Sequence, residues 1–366
     1  MLQRFPIRVK LFIALAVPLF ALLVVALFEV VQTTAKRTEI NQEDDLAASS
    51  SGNGSLLSRI EDERNAAATY LVGLEANLDI AVTDLQQGFA ATDDARTAFT
   101  EQVDGLGGAV AESFGPALGN LDQLQAIRTE IEGFDGDRSV GNIGYAKEIF
   151  DRYSELMTPL FDASRDVSLD IDNPDLRRGA ELIDLAAHQT DLFAKLTINV
   201  LAAQLPDPSG VDTPEEISAV SGMQAEMQEN QSAIETKAAG PYQALVETLV
   251  ATPHIQRFDE LIGEALTTGQ VSGIQELFDA ADGSGNPGGH GYSIFRAGVE
   301  DQLRHDANRL SDAADRRMYL YGILACLAVL VAALATWLVS RSITRPLRAL
   351  TRQATEMANH RLPDAV

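Results

Sequence analysis

Apolar positions recur three and four residues apart along most of the chain, the spacing of helices that bury one face. Leu57, Ile60, Ala67, Leu71, Leu74 and Leu78 form one such stripe, and Leu182, Leu185, Leu192 and Leu196 form another. No stretch of 32–317 shows the period-two alternation of a half-buried strand. Breakers divide that segment at SSSGNGS (49–55), DGLGG (104–108), GFDGDRSVGNIG (133–144), LPDPSGVDTP (205–214), AAGP (238–241) and DGSGNPGGHG (282–291). Asp172–Asn173 before Pro174, and Thr213 before Pro214, are helix-start signals. The pattern predicts about eight helices, with 205–214 as the strongest internal boundary.

Two segments are apolar throughout. Leu11–Phe28 and Leu320–Val339 carry no charge, and each approaches the length that crosses a bilayer. The first run exceeds the usual signal-peptide core and lacks a clean cleavage site, so it reads as an uncleaved anchor. From about Tyr292 the stripe continues through Val299, Leu303, Leu310 and the second apolar run, predicting a long helix from outside the membrane to Pro346. Beyond it, Ile343, Leu347, Leu350, Ala354 and Met357 keep a coiled-coil spacing.

Charge then narrows the picture. Residues 32–317 hold 20 Lys+Arg against 50 Asp+Glu, which suits a soluble exported domain. With a net charge of −25 and no basic run to neutralise phosphates, a nucleic-acid partner is excluded. Arg4, Arg8 and Lys10 before the first span, with Arg341, Arg345, Arg348 and Arg352 after the second, place both chain ends inside. The expected order is 1–10 cytoplasmic, 11–31 membrane span, 32–318 external helical domain, 319–340 second span and 341–366 a cytoplasmic helix, multi-pass in the cell membrane. Cys326 is the only cysteine and the five histidines have no metal-ligand spacing, so neither a disulfide framework nor a metal or other cofactor is expected. DGSGNPGGHG lacks the ending of a phosphate loop, and no catalytic motif is present, so the chain by itself does not read as an enzyme.

One residue breaks the first stripe. Arg64 occupies a position where a leucine is expected, followed closely by Ala66, Ala67 and Ala68. A buried guanidinium needs an acidic partner, a route to the rim, or an anion from outside. Glu61, at i−3, is the local candidate for a partner. The alanines leave room for a small guest, and a planar fork of donors matches a planar oxyanion. Gln189 and Asn199 interrupt the second stripe, flanked by His188 and Lys195, while Arg177 and Arg178 stand near that helix start as lesser candidates.

The stretch LLSRIEDERNAAATYL resembles the opening motif of the NIT domain, a nitrate- and nitrite-sensing domain, with Glu63–Arg64 on its Glu-Arg pair and Asp62 where Gln is usual. The segment SRSITRPLRALTRQATEMANHRLPDAV resembles the first helix and connector of a HAMP linker, through Arg345, Pro346 and Leu347 and the closing LPDAV. Together they are similar to the sensory part of an actinobacterial sensor histidine kinase. That resemblance implies an all-α fold of two stacked antiparallel four-helix bundles between two transmembrane helices. It also implies an anion held by arginines from separate helices, of which only Arg64 transfers by motif. Where the family places Glu and Arg in the later helix, this chain has Gln189 and Lys195.

The function so implied is a homodimeric membrane receptor for nitrate or nitrite. It would signal through Arg345, Pro346, Leu347, Leu350 and Met357 to a kinase module, absent from the 366 residues, and on to a response regulator. Alternatives are a chemotaxis-type receptor, a sensor of another solute or protein, and a structural dimerising ectodomain.

Overall fold

The helix ends fall on capping and breaking residues in the computed structural model of the chain, which describes residues 28, 51–52, 54–75, 82–106, 108–134, 142–204, 214–268 and 287–361. The helices are α1 (Leu56–Glu75), α2 (Val82–Leu106), α3 (Gly108–Asn120), α4 (Leu124–Glu132), α5 (Asn142–Asp170), α6 (Pro174–Gln204), α7 (Pro214–Lys237), α8 (Gln243–Val250), α9 (Pro253–Thr268) and α10 (Pro287–Arg361). Among the described residues there is no strand, and the all-α class holds. The start signals act as their chemistry dictates. Asn173 Oδ1 accepts the backbone N–H of Asp175 at 3.0 Å and of Leu176 at 3.2 Å, satisfying donors that the first turn leaves open. Pro174 and Pro214 stand at N1, where a missing N–H costs nothing.

Four boundaries depart from the sequence reading. A 3-10 turn at Leu121–Gln123 separates α3 from α4, and Thr252 before Pro253 separates α8 from α9, so there are more and shorter helices than expected. The last helix begins inside the glycine-rich stretch, at Pro287. It also passes through Pro346, since a proline removes one hydrogen bond and need not end a helix whose other bonds persist.

The described chain divides at Asn308/Arg309 into two units. In the unit up to Asn308, α1 packs against α2 and α5, α5 also against α3 and α6, and α6 against α7. Leu57, Ile60, Leu71, Phe99, Ile131 and Met157 are among the residues of one continuous core shared by α1–α5. A second set of contacts joins α6, α9 and the start of α10, where the Phe193 ring lies 4.2 Å from Phe258 and 5.4 Å from Tyr292, centroid to centroid. Gly179 of α6 lets α10 approach: a Cβ there would meet Leu303 Cδ1 and Tyr242 Oη at 2.7 Å. The expected boundary lies largely at 205–213, outside the described residues, and α6 and α7 on either side of it pack on each other.

In the other unit, α10 presents apolar side chains to its surroundings, including Tyr319, Leu320, Ile323, Leu330 and Trp337. Among the described residues one helix is long and apolar enough to cross a membrane, over Gly291–Leu334. The first expected span lies outside the described residues, apart from Phe28. The backbone at Arg345, Pro346, Leu347, Leu350 and Met357 is helical.

Candidate functional site

Arg64 is fully buried, and so are the stripe residues around it, Leu57, Ile60, Ala67 and Leu71. Its partner is not Glu61. Arg64 Nη1 donates to Asp191 Oδ1 on α6 and, at 2.9 Å, to Ser154 Oγ on α5. Its guanidinium carbon lies 4.0 Å from the centroid of the Phe150 ring. The remaining donors, Nε and Nη2, are buried with no protein partner. Buried donors in that state are rare and costly, so each calls for an explanation.

The helical register explains why Glu61 goes elsewhere. Glu61 and Arg64 lie on adjacent turns of α1, but α10 brings Arg296 to the glutamate. Arg296 is also buried, with Nη1 3.5 Å from Glu61 Oε2 and Nη2 donating to the carbonyls of Ser51 and, at 3.0 Å, Gly52. Arg296 Nε and Glu61 Oε1 are again buried without a partner. Two arginines from separate helices therefore place positive charge on one carboxylate, Arg296 by contact and Arg64 through space. Burial still dominates and pushes the Glu61 carboxyl up to about 7, against the pull of both arginines.

Asp191 behaves in the opposite way. It receives Lys195 Nζ on Oδ2 at 2.7 Å as well as Arg64 on Oδ1. Burial alone would raise its carboxyl, but the two cations outweigh that and hold it below the usual carboxylate value. Close by in sequence, Asp184 bonds Ser164; burial pushes it up to about 7, opposed by the Arg165 charge and that hydrogen bond.

A separate buried network lies in the α1–α5 core. Arg128 Nε and Nη2 each donate to Glu63 at 2.8 Å, Tyr153 donates to Glu63 at 2.7 Å, and Arg128 Nη1 reaches Asp93 at 2.8 Å. Here both oxygens of the carboxylate are bonded, as a structural pair requires. Glu63 of the Glu-Arg motif thus anchors α4 and α5 to α1.

Lys195 joins the Arg64 cluster through Asp191. Gln189 is buried between α6 and α7, donating to the Met227 carbonyl at 3.2 Å and accepting from Asn230 at 2.7 Å. Arg177 donates to the Ile171 carbonyl at 2.8 Å and so ties the α5–α6 corner, while Arg178 pairs with Asp175 at 3.3 Å on the surface. Ala68, expected to leave space, packs with Phe150 and Ile198. The alanines thus admit neighbouring helices to Arg64. Among the described residues no group of His, Cys, Asp and Glu could hold a metal ion.

Arg296 and Asp191 were not singled out by the sequence, although the signals exist. Arg296 sits on the stripe Tyr292, Val299, Leu303, as Arg64 sits on its own. Asp191 belongs to a second face of α6, Ala180, Asp184, Ala187, Ala194 and Ile198, which the leucine stripe obscures.

A family model described as nitrate and nitrite sensing, NIT, matches residues 55–318. The chain belongs to the NIT family. The matched NIT segment contains Arg64, Arg296 and every residue of the cluster around them except the Ser51 and Gly52 carbonyls. No curated protein matches this NIT chain. A solved structure, described as that of the NasR transcription antiterminator, is similar in fold with a TM-score of 0.56 at 16% identity, over 90% of this chain and 87% of that one.

Proposed function

We propose that the chain is the sensory part of a membrane receptor that binds nitrate or nitrite at Arg64 and Arg296. The observation that carries this reading is the pair of buried arginines on α1 and α10 whose Nε atoms, with Arg64 Nη2, have no protein partner. A planar oxyanion would accept from such donors in the plane of each guanidinium. Lys195 supports the site through Asp191; Gln189, Arg177 and Arg178 are engaged in helix contacts of their own. The NIT assignment supports the choice of ligand.

The proposed output follows α10. Arg296 and the apolar run lie on this one helix, so an anion that changes how Arg296 is held acts on the element that enters the membrane. About 1.4 kcal/mol of differential binding shifts a two-state equilibrium tenfold, within reach of a few charge-assisted hydrogen bonds. The HAMP-like segment, a homodimer and a downstream histidine kinase with its response regulator complete the proposal. Titration calorimetry of the full chain in detergent with nitrate, nitrite and chloride tests it. Saturable heat with nitrate or nitrite, lost in Arg64→Ala and in Arg296→Ala, is expected. A folded sample giving no heat with any of the three would overturn the reading.

A further inference from the structure

The two buried carboxylates of the site are not equivalent. Asp191 has a cation on each oxygen. Glu61 has one loose contact, 3.5 Å to Arg296, and one oxygen with no partner, although it lies equally deep. A fully buried ionised carboxylate normally gathers more donors than this. Arg296 meanwhile directs Nη2 to backbone carbonyls instead of pairing both nitrogens with the glutamate.

We infer that Glu61 sets the affinity of this site by taking up a proton when a monoanion binds at Arg64 and Arg296. The inference rests on the anion-site reading above. Of the deeply buried charges in this cluster, Arg64 and Arg296 are positive, and Asp191 and ionised Glu61 are negative. They already balance, and Lys195, at the rim with 27% of its side chain exposed, pairs with Asp191. An added buried anion leaves one negative charge uncompensated, a cost that a protein meets by neutralising a group. Asp191 is the wrong group, because Arg64 and Lys195 hold it ionised.

Glu61 is the right one. The charges facing it are Arg64 and Asp62 from its own helix, Arg296 from α10 and Asp191 from α6. Burial has already raised its carboxyl to about 7, so a neighbouring anion need move it only further in the same direction. The transfer is simple: one proton leaves solvent or buffer and attaches to a Glu61 oxygen, and its charge offsets that of the anion. Asp184 is a competing acceptor, since it is also raised and also feels Arg296.

The consequence is a sensor whose response to the anion falls as pH rises. Calorimetry of the full chain with nitrate, in buffers of different ionisation enthalpy, counts the protons directly. Uptake approaching one proton per nitrate is expected at pH 8, and little at pH 5.5, where Glu61 already carries its proton. Nitrate affinity falls by up to tenfold per pH unit above pH 7. Glu61→Gln binds nitrate with no proton uptake and a flat pH profile, whereas Asp184→Asn keeps the dependence. Nitrate bound at pH 8 with no proton uptake by the wild-type chain would overturn the inference and leave the anion site standing. Uptake that survives Glu61→Gln and disappears in Asp184→Asn would also overturn it. Absence of nitrate binding at both pH values would remove the anion site and this inference together. The wild-type proton count needs no variant to fold.

Discussion

Arg64 and Asp191 join α1 to α6 through a single guanidinium nitrogen, which leaves the rest of the Arg64 fork free of protein partners. The pair has almost no contact with solvent, so the loss of one member exposes the other to the full penalty of an uncompensated buried charge. Asp191→Ala is expected to destabilise the fold by about 3–5 kcal/mol, read as a fall in the denaturant midpoint. A change below about 1 kcal/mol would mean that Ser154 and solvent already support Arg64 without the aspartate.

Charge alone is not what the site offers. Arg64→Lys keeps the positive charge but loses the planar fork and the stacking on Phe150. Nitrate affinity is expected to fall at least tenfold, as a weaker calorimetric dissociation constant, while the fold persists. Retention of affinity by the lysine variant would show that a point charge suffices.

Glu63 and Arg128 predict the opposite pattern. Their bidentate pair, with Tyr153 and Asp93, leaves no oxygen of Glu63 for a ligand. Burial and the Glu63 charge and hydrogen bond raise the Tyr153 hydroxyl, so it stays protonated and remains a donor. Arg128→Ala should cost about 3–5 kcal/mol of stability and leave nitrate affinity within about twofold. Loss of binding in a folded variant would place this network in the site.

Stability should fall as pH rises through neutrality. Folding raises the Glu61 carboxyl from 4.5 to about 7 and that of Asp184 from 3.8 to about 7. Both bind a proton more tightly when folded, so their contribution is complete below the unfolded values and is lost as pH climbs through about 7. Asp191 is lowered, and its contribution runs the other way: present above 3.8, lost as pH falls through its folded value. Denaturant midpoints should decline from pH 5 through pH 7 and level off toward pH 8, and Glu61→Gln should flatten the slope. A rise across that range would contradict the buried placement of both carboxyls.

Packing at α10 gives a test independent of charge. A side chain at Gly298 would meet Leu245 Cδ2 at 2.7 Å, and one at Gly179 would meet Leu303 at the same distance. Gly179→Val and Gly298→Val are each expected to cost about 1–3 kcal/mol through overpacking. Neutral melting shifts in both would argue against the close approach of α10 to α6 and α8.

By itself the sequence determined the class. The three-four spacing of apolar residues and the placement of Gly and Pro locate most helices, because burial of one face and the lack of a backbone donor act within a few residues. The same local logic marked Arg64, since a charge on an apolar stripe is visible without a partner. Its partner was not visible. Glu61 is the neighbour along the chain, yet Arg64 takes Asp191, 127 residues away, and Glu61 takes Arg296, 235 residues away. Only the packing of α1 against α6 and α10 decides between carboxylates of equal chemistry. Tertiary structure likewise decided that Glu63 is structural, that the alanines admit Phe150 and Ile198, and that one carboxylate is held ionised while the other stays close to protonation. Each outcome depends on burial and on charges brought together from distant segments, and neither quantity is a property of a residue's place in the chain.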